Sequence, residues 1–203
     1  KPTLLNASGN TNFIFEVVGI DSHVLDQVNA IKTRTKVKDR IQRIYELGGS
    51  LRFYKAEKET MAYNLSMVDS CLPELIANML QEFYENRTTA ISKNLENVFN
   101  AGNNFHTDLI SLTVKIKRFL VSVLLGFFAG QKWDGNYVAN GLIVVKEDGE
   151  HVGFHIVDKA ALEDYLFEHI KFDTPSTTRH RFGHLIAENN GNIYFKLNFQ
   201  LRF

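Results

Sequence analysis

The segment DTPSTTRHRFG, residues 173–183, carries side chains that could bind phosphate groups and nucleotide bases. Arg179 and Arg181 each offer a guanidinium that can form two parallel hydrogen bonds with a guanine edge or pair with a phosphate. The neighbouring hydroxyl and imidazole groups could bond phosphates, sugars or bases, and they belong to Ser176, Thr177, Thr178 and His180. A structural explanation competes, in which Asp173 caps the turn and pairs with an arginine.

Two further segments are rich in hydrogen-bond donors. NASGNTN, residues 6–12, forms a loop that Gly9 allows to bend, and its polar side chains belong to Asn6, Ser8, Asn10, Thr11 and Asn12. These side chains could bond phosphates or base edges, or they could satisfy the backbone of their own turn.

The C-terminal NFQLRF is the third such segment. Asn198, Gln200 and Arg202 alternate with apolar residues there, so the pattern places them on one face of a strand. Because Arg, Asn and Gln are the residue types that recognise purine edges in the major groove, the three segments together predict a DNA-contacting surface.

The signals for other kinds of site are weaker. His151 and His155 are four apart, as are His180 and His184, but no cysteine pair or HExxH motif accompanies them, so zinc binding is not expected. No Gly-rich phosphate loop and no GxSxG motif occurs. Asp134 and Glu16 are candidates for a supporting role, although turn formation and surface polarity explain them better.

Composition predicts one folded domain over residues 1–203. The chain is 44% hydrophobic and 23% charged, with a single cysteine, Cys71, which favours a reducing cytoplasmic location and a buried thiol. The apolar run that begins at Phe119 is too short to cross a bilayer, so we expect no membrane span but a buried helix, in the core rather than at a dimer contact.

The net charge of zero argues against indiscriminate polyanion binding but leaves room for a local basic surface. Residues 32–43 are the densest basic stretch, with a single acid, Asp39, among six cations: Lys32, Arg34, Lys36, Lys38, Arg40 and Arg43. A solvated helix face and a binding surface explain this stretch equally well.

The periodicity along the chain predicts a mixed α/β (α+β) fold. Strands are expected in NFIFEVVGI, SLRFYKA and TMAYNLSM, and helices in HVLDQVNAI, VKDRIQRIYELGG, LPELIANMLQEFYENR, TTAISKNLENVFN, DLISLTVKIKRFLVSVLLGFF and KAALEDYLFEHI. Two hairpins are expected, turning at Asp148–Gly149 and at Asn190–Gly191. In the second hairpin, one face should be buried while the other presents amides and cations.

Several ordered motifs resemble the C-terminal part of the HpaII family of type II restriction endonucleases: PTLLNASGNTNF, KWDG, IVVKEDGE, DTPSTTRHRFG and KLNFQLRF. The resemblance spans nearly all 203 residues. It implies a Mg²⁺-dependent enzyme that cuts both strands of duplex DNA at a short palindrome, typically CCGG. It also implies a mixed sheet with flanking helices around a PD-(D/E)XK nuclease core. A palindromic site further suggests a homodimer, although a monomer that acts twice would also serve.

The chain departs from this family pattern at the catalytic motif. No Asp or Glu stands two residues before a Lys anywhere in the sequence. The catalytic strands and metal ligands are therefore expected upstream of Lys1, and this chain is expected to contain an incomplete nuclease core that contacts DNA. The alternatives are a catalytically inert, sequence-specific DNA-binding module and a metabolic or protein-binding domain with a chance polar loop.

Overall fold

The computed structural model describes residues 2–102, 105, 107–145, 147–155, 159–189 and 191–203. The strands are β1 (Thr3–Leu5), β2 (Asn12–Val18), β3 (Ser50–Ala56), β4 (Gly141–Val145), β5 (His151–His155), β6 (Lys171–Phe172), β7 (Leu185–Ala187), β8 (Ile193–Asn198) and β9 (Leu201–Arg202). The α-helices are α1 (Leu25–Asn29), α2 (Lys36–Glu46), α3 (Glu59–Val68), α4 (Leu72–Asn86), α5 (Ile91–Asn100), α6 (Leu109–Leu125), α7 (Lys159–His169) and α8 (Thr177–His180). Short 3-10 helices span Gly9–Thr11 and Ser22–Val24. The predicted mixed α/β class is confirmed.

The main sheet has the strand order β3-β2-β8-β7, and its neighbours pair antiparallel. Phe13 pairs with Leu197 and Phe15 with Phe195 across the β2–β8 ladder, and all four side chains are fully buried. The alternation in the two strands therefore directs one face of the sheet into the core.

The C-terminal segment connects this sheet to a second one. After β8, Phe199 and Gln200 interrupt the ladder, and β9 then pairs with β1 and β6 in a sheet of order β1-β9-β6. At the interruption, the Phe199 amide donates to the Thr11 carbonyl at 3.0 Å. The end of the chain is thus held against the loop that precedes β2.

Helices α4 and α6 supply much of the core. The Tyr84 hydroxyl of α4 donates to the Asn198 carbonyl at 3.0 Å, and Phe119 of α6 stacks on Phe199 with ring centroids 5.8 Å apart. The apolar run of α6 is therefore a core element, as predicted. Within the described part of the chain, the helices are too short or too polar to cross a membrane.

One predicted strand is wrong. TMAYNLSM lies within α3, where Met61, Asn64 and Leu65 are fully buried. These positions follow the spacing of one helix face, and the apparent alternation of large and small residues concealed it.

Cys71 is a free thiol that is only partly buried, whereas a buried thiol was expected. Burial, reinforced by Asp69, raises the pKa of this thiol to about 11.

Both predicted hairpins form. In the first, β4 pairs with β5 around a turn in which Gly149 has φ +87°. In the second, β7 pairs with β8, and Gly191 has φ +85°, whereas the predicted turn residue Asn190 lies outside the described residues. The left-handed φ explains why glycine occupies each turn.

Candidate nucleic-acid interface

A network of side-chain hydrogen bonds joins the three donor-rich segments. Asn198, fully buried on β8, donates from Nδ2 to the Ser8 carbonyl at 2.8 Å and to Asn12 Oδ1 at 2.6 Å. Asn12 in turn donates from Nδ2 to Glu57 Oε2 at 2.7 Å and to the His180 carbonyl at 3.3 Å. Residues 6–12, 173–183 and 198–202 therefore meet on one side of the molecule.

The loop at residues 6–12 is held by its own side chains. Ser8 Oγ accepts from the Asn10 amide at 3.1 Å, and Thr11 Oγ1 accepts from the Ser8 amide at 3.0 Å, which forms a reciprocal cap on the 3-10 helix. Thr11 and Asn12 are buried, whereas Asn6 is exposed. For Ser8 and Thr11, the structure therefore shows the self-satisfying turn that was the alternative explanation.

The segment 173–183 forms a short helix between two anchors. Ser176 caps α8 by accepting from the Arg179 amide at 3.3 Å. Phe182 is 1% exposed and packs edge-on against Tyr84. Gly183 has φ +75°, and its amide donates to the Lys196 carbonyl at 2.8 Å. Thr178 and Arg179 of α8 are therefore presented to solvent from a backbone that is fixed at its cap and at its end.

Arg181 has an unusual backbone conformation. It is the C-cap of α8 with φ 51° and ψ 53°, in the left-handed region where a side chain costs about 1 kcal/mol relative to glycine. Its side chain is exposed, as is that of Arg179. Backbone strain at an exposed residue favours a functional role for its guanidinium.

The C-terminal strand corrects the expectation that its second face presents amides. Asn198 and Gln200 are 0% and 7% exposed, and the loop at residues 6–12 lies against Asn198. Arg202 Nε lies 2.7 Å from Asp173 Oδ2 in an ion pair without hydrogen-bond alignment. Asp173 thus pairs with an arginine, as the structural explanation predicted, but the arginine is Arg202 and not a member of the 179–181 group.

These positions divide the predicted DNA-contacting residues into groups by exposure. The exposed group consists of Asn6, Ser176, Thr178, Arg179 and Arg181. The partly buried group consists of Ser8, Asn10, Thr177, His180 and Arg202. The buried group consists of Thr11, Asn12 and Gln200. The DNA-contacting role of all of them stays a prediction. In the buried group, Thr11 and Asn12 bond neighbouring segments and so fix the position of the exposed residues.

Sequence reasoning missed Glu57 and Lys196, which complete the network. Lys196 Nζ donates to Glu57 Oε1 at 2.5 Å, and this pair lies beside Asn12. Burial by itself would raise the pKa of Glu57, but the hydrogen bonds from Lys196 and Asn12 outweigh it and leave that pKa below its usual value. No local sequence signal could have found this pair, because its members are far apart in the chain.

Arg40 is a second residue whose role sequence reasoning missed. It is 9% exposed and donates to the backbone carbonyls of Gly183 at 2.5 Å, Asn29 at 2.6 Å and Ile31 at 2.8 Å. Burial lowers the pKa of its guanidinium. Helix α2 is thereby tied to the end of the 173–183 segment. The density of cations in residues 32–43 was the signal, although it could not single out Arg40.

The remaining candidate residues have ordinary surroundings. Asp134 Oδ1 accepts from the Asn136 amide at 2.9 Å within its own turn, and Glu16 pairs with Arg52 across β2 and β3. His151 and His155 are exposed on β5. Among the described residues, no group of three or more His, Cys, Asp or Glu side chains could hold a metal ion.

Because Glu57 pairs with Lys196, we expect the free energy of unfolding to depend on the protonation of Glu57. The pKa of Glu57 in the folded protein lies below its usual value of 4.5, so its stabilising contribution is complete above that value and is lost as the pH falls through the folded pKa. Glu57→Gln should therefore reduce stability at neutral pH and weaken the acid dependence of unfolding.

Urea unfolding from about pH 6 to about pH 3 measures this difference. Glu59→Gln, at an exposed acid two residues along, is the control and should follow the unsubstituted protein. Equal slopes for the Glu57→Gln variant and the unsubstituted protein would show that the pair contributes nothing to acid sensitivity.

Comparison with known proteins places the chain in a family. The chain matches the HpaII restriction endonuclease family over residues 1–203. It is 38% identical over 205 residues to the type II restriction enzyme HpaII of Haemophilus parainfluenzae, in an alignment that covers 99% of this chain. The chain spans 56% of the length of that relative. No solved structure matches the chain. Because the match covers residues 1–203, the chain belongs to the HpaII restriction endonuclease family.

Proposed function

We propose that residues 1–203 act as one DNA-recognition domain of a type II restriction endonuclease. The complete enzyme would cut both strands of duplex DNA at a short palindrome of the CCGG type, with Mg²⁺ as its metal. The family match and the relative's identity as a type II restriction enzyme support the enzyme class. The recognition sequence, the metal and the division of labour between this chain and the rest of the enzyme are parts of the proposal.

The observation that carries the proposal is the presentation of Arg179 and Arg181. Both guanidiniums are exposed beside one short helix whose backbone is anchored by Ser176, Phe182 and Gly183. A fixed backbone lowers the entropic cost of placing a planar donor fork against a base edge or a phosphate. This arrangement suits recognition of duplex DNA better than it suits binding of a small apolar ligand.

The amide network gives the buried residues a positioning role within this proposal. Asn12 connects the Glu57–Lys196 pair to the His180 carbonyl, so the short helix is held to β2 by a partly buried hydrogen bond. Asn198 holds the loop at residues 6–12 through the Ser8 carbonyl. Asn6 is exposed in this loop, and we propose that it contacts the DNA backbone.

The described residues do not fit a Mg²⁺ site, because no group of three or more potential His, Cys, Asp or Glu ligands lies among them. We therefore derive no hydrolytic step from this chain. The expectation that the acids and the lysine of the nuclease core precede Lys1 stays a prediction, and the natural reading frame tests it directly.

Two further features complete the proposal. A palindromic site is met most simply by two copies related by a twofold axis, so we propose a homodimer on DNA. We also propose a cytoplasmic location, which agrees with the single free thiol of Cys71.

Cleavage of plasmid DNA by the full-length natural protein tests the enzyme class. We expect Mg²⁺-dependent double-strand breaks whose mapped ends all lie at CCGG sites. Breaks at another fixed sequence would refute the CCGG assignment alone. Specific binding without any break in the presence of Mg²⁺ would instead establish an inert DNA-binding module. The missing Asp/Glu-x-Lys motif is the observation in favour of that second candidate.

A further inference from the structure

A cavity of about 400 Å³ separates helix α2 from the 173–183 segment. The basic and hydroxyl side chains that line it are Lys36, Arg40, Thr177, Thr178, Arg181 and His184. We call this the basic cavity. It brings the densest cationic stretch of the sequence against the segment that carries the exposed arginines, although residues 44–172 separate the two in the chain.

The described lining of the basic cavity carries cations and no acid. Lys36, Arg40 and Arg181 contribute three positive charges, and no carboxylate stands among its described lining residues. Of the acids in the neighbouring segments, Asp173 pairs with Arg202, and Asp39 accepts hydrogen bonds from the Thr33 and Thr35 hydroxyls outside the lining of the cavity. Clustered cations with no acid between them attract an anion.

Arg40 provides the strongest evidence that the basic cavity is an anion-binding site. Its side chain is nine-tenths buried, its terminal nitrogens bond only to backbone carbonyls, and its buried Nε has no hydrogen-bond partner in the described structure. Buried charges in proteins are normally paired with an opposite charge. Here the described residues bond the Arg40 guanidinium to carbonyl dipoles but to no anion, and the basic cavity lies directly beside this buried charge.

We propose that the basic cavity binds one phosphate group of the DNA backbone. Lys36 and Arg181 contact the phosphate, the Thr177 and Thr178 hydroxyls donate to it, and Arg40 supplies a fixed positive charge behind them. The inference rests on the proposed function and deepens it, because it assigns different roles to two arginines of the 173–183 segment. Arg181 contacts the backbone and sets the position of the DNA, and Arg179 contacts bases.

The salt dependence of DNA binding tests this proposal. Binding of a labelled CCGG duplex and of a scrambled duplex to the full-length natural protein is measured by fluorescence anisotropy between about 50 and 200 mM salt. Lys36→Ala and Arg181→Ala should each reduce the slope of log K against log salt by about 1 and should weaken both duplexes by a similar factor.

Helix α2 offers a matched control. Lys38 lies two residues from Lys36 but faces a different cavity, lined by Tyr45 and Glu85. Lys38→Ala removes the same charge from the same helix and should leave the slope unchanged. Thermal midpoints of all variants show whether each has folded.

Single neutral methylphosphonate substitutions in the duplex locate the contact. We expect one position in each half-site at which neutralisation weakens the unsubstituted protein but not Lys36→Ala. Unchanged slopes in both variants, with CCGG preference intact, would overturn the phosphate contact and leave the proposed function standing. If the unsubstituted protein shows no preference for any CCGG duplex, the proposed function itself fails.

Inorganic phosphate distinguishes a free anion from the DNA backbone as the source of the phosphate. A rise in thermal midpoint with phosphate that disappears in Lys36→Ala, combined with unchanged DNA slopes, would overturn the DNA assignment in favour of a small-anion site. A slope of log K against log salt that is reduced by about 1 in Lys36→Ala, together with loss of the methylphosphonate effect in that variant, supports the backbone phosphate.

Discussion

Arg179→Ala is expected to lower the affinity for the specific duplex by about 10- to 100-fold, since a bidentate contact to a guanine contributes about 1–3 kcal/mol of discrimination. The affinity for a scrambled duplex should change little, because a base contact carries sequence information that non-specific binding does not use. The same substitution should change folding stability by no more than about 0.5 kcal/mol, as is usual for an exposed side chain outside the core.

The measurement compares the two duplexes by anisotropy at one salt concentration and records the thermal midpoint of each variant. Arg118→Ala, at an exposed arginine of α6, is the matched control and should leave both affinities unchanged. The unsubstituted protein should itself prefer the specific duplex by at least about 1,000-fold. A large fall in midpoint with normal binding would show that Arg179 is structural and that the base contact lies elsewhere.

Arg40→Met is expected to cause the largest loss of stability, about 3 kcal/mol. Methionine can fill much of the space of the arginine stem, but it leaves the carbonyls of Gly183, Asn29 and Ile31 without their donor. Each buried acceptor left unsatisfied costs about 1–3 kcal/mol, and relief from burying a charge offsets part of the sum. Because Gly183 ends the 173–183 segment, specific DNA binding should weaken as well.

Urea unfolding at neutral pH measures the loss. Arg43→Met is the control on the same helix, since Arg43 forms a surface pair with Glu46 and its removal should cost no more than about 1 kcal/mol. Equal stability of the Arg40→Met variant and the unsubstituted protein would mean that water satisfies these carbonyls and that Arg40 does not tie α2 to the segment.

The sequence predicted which segments lie together more accurately than it predicted which of their side chains are free of partners. The donor-rich character of residues 6–12, 173–183 and 198–202 was visible from residue type alone, and the three segments do meet. The availability of individual side chains was not visible, because Asn198 Nδ2 donates to Asn12 Oδ1 at 2.6 Å across the β2–β8 ladder and Asn12 Nδ2 donates to Glu57. An amide is an equally good ligand for DNA and for another amide, so residue type cannot decide between the two.

By itself, the amino-acid sequence determined the mixed class, the helices with clear apolar spacing, both hairpin turns and the family resemblance. Each of these depends on local periodicity, on the backbone freedom of glycine or on ordered motifs. Tertiary structure alone decided that TMAYNLSM is a helix, that the amide network is buried and that Lys36 and Arg40 face Arg181 across one cavity. The physical reason is that burial and charge compensation depend on partners outside the local pattern, such as Asn198 for Asn12 and Gly183 for Arg40.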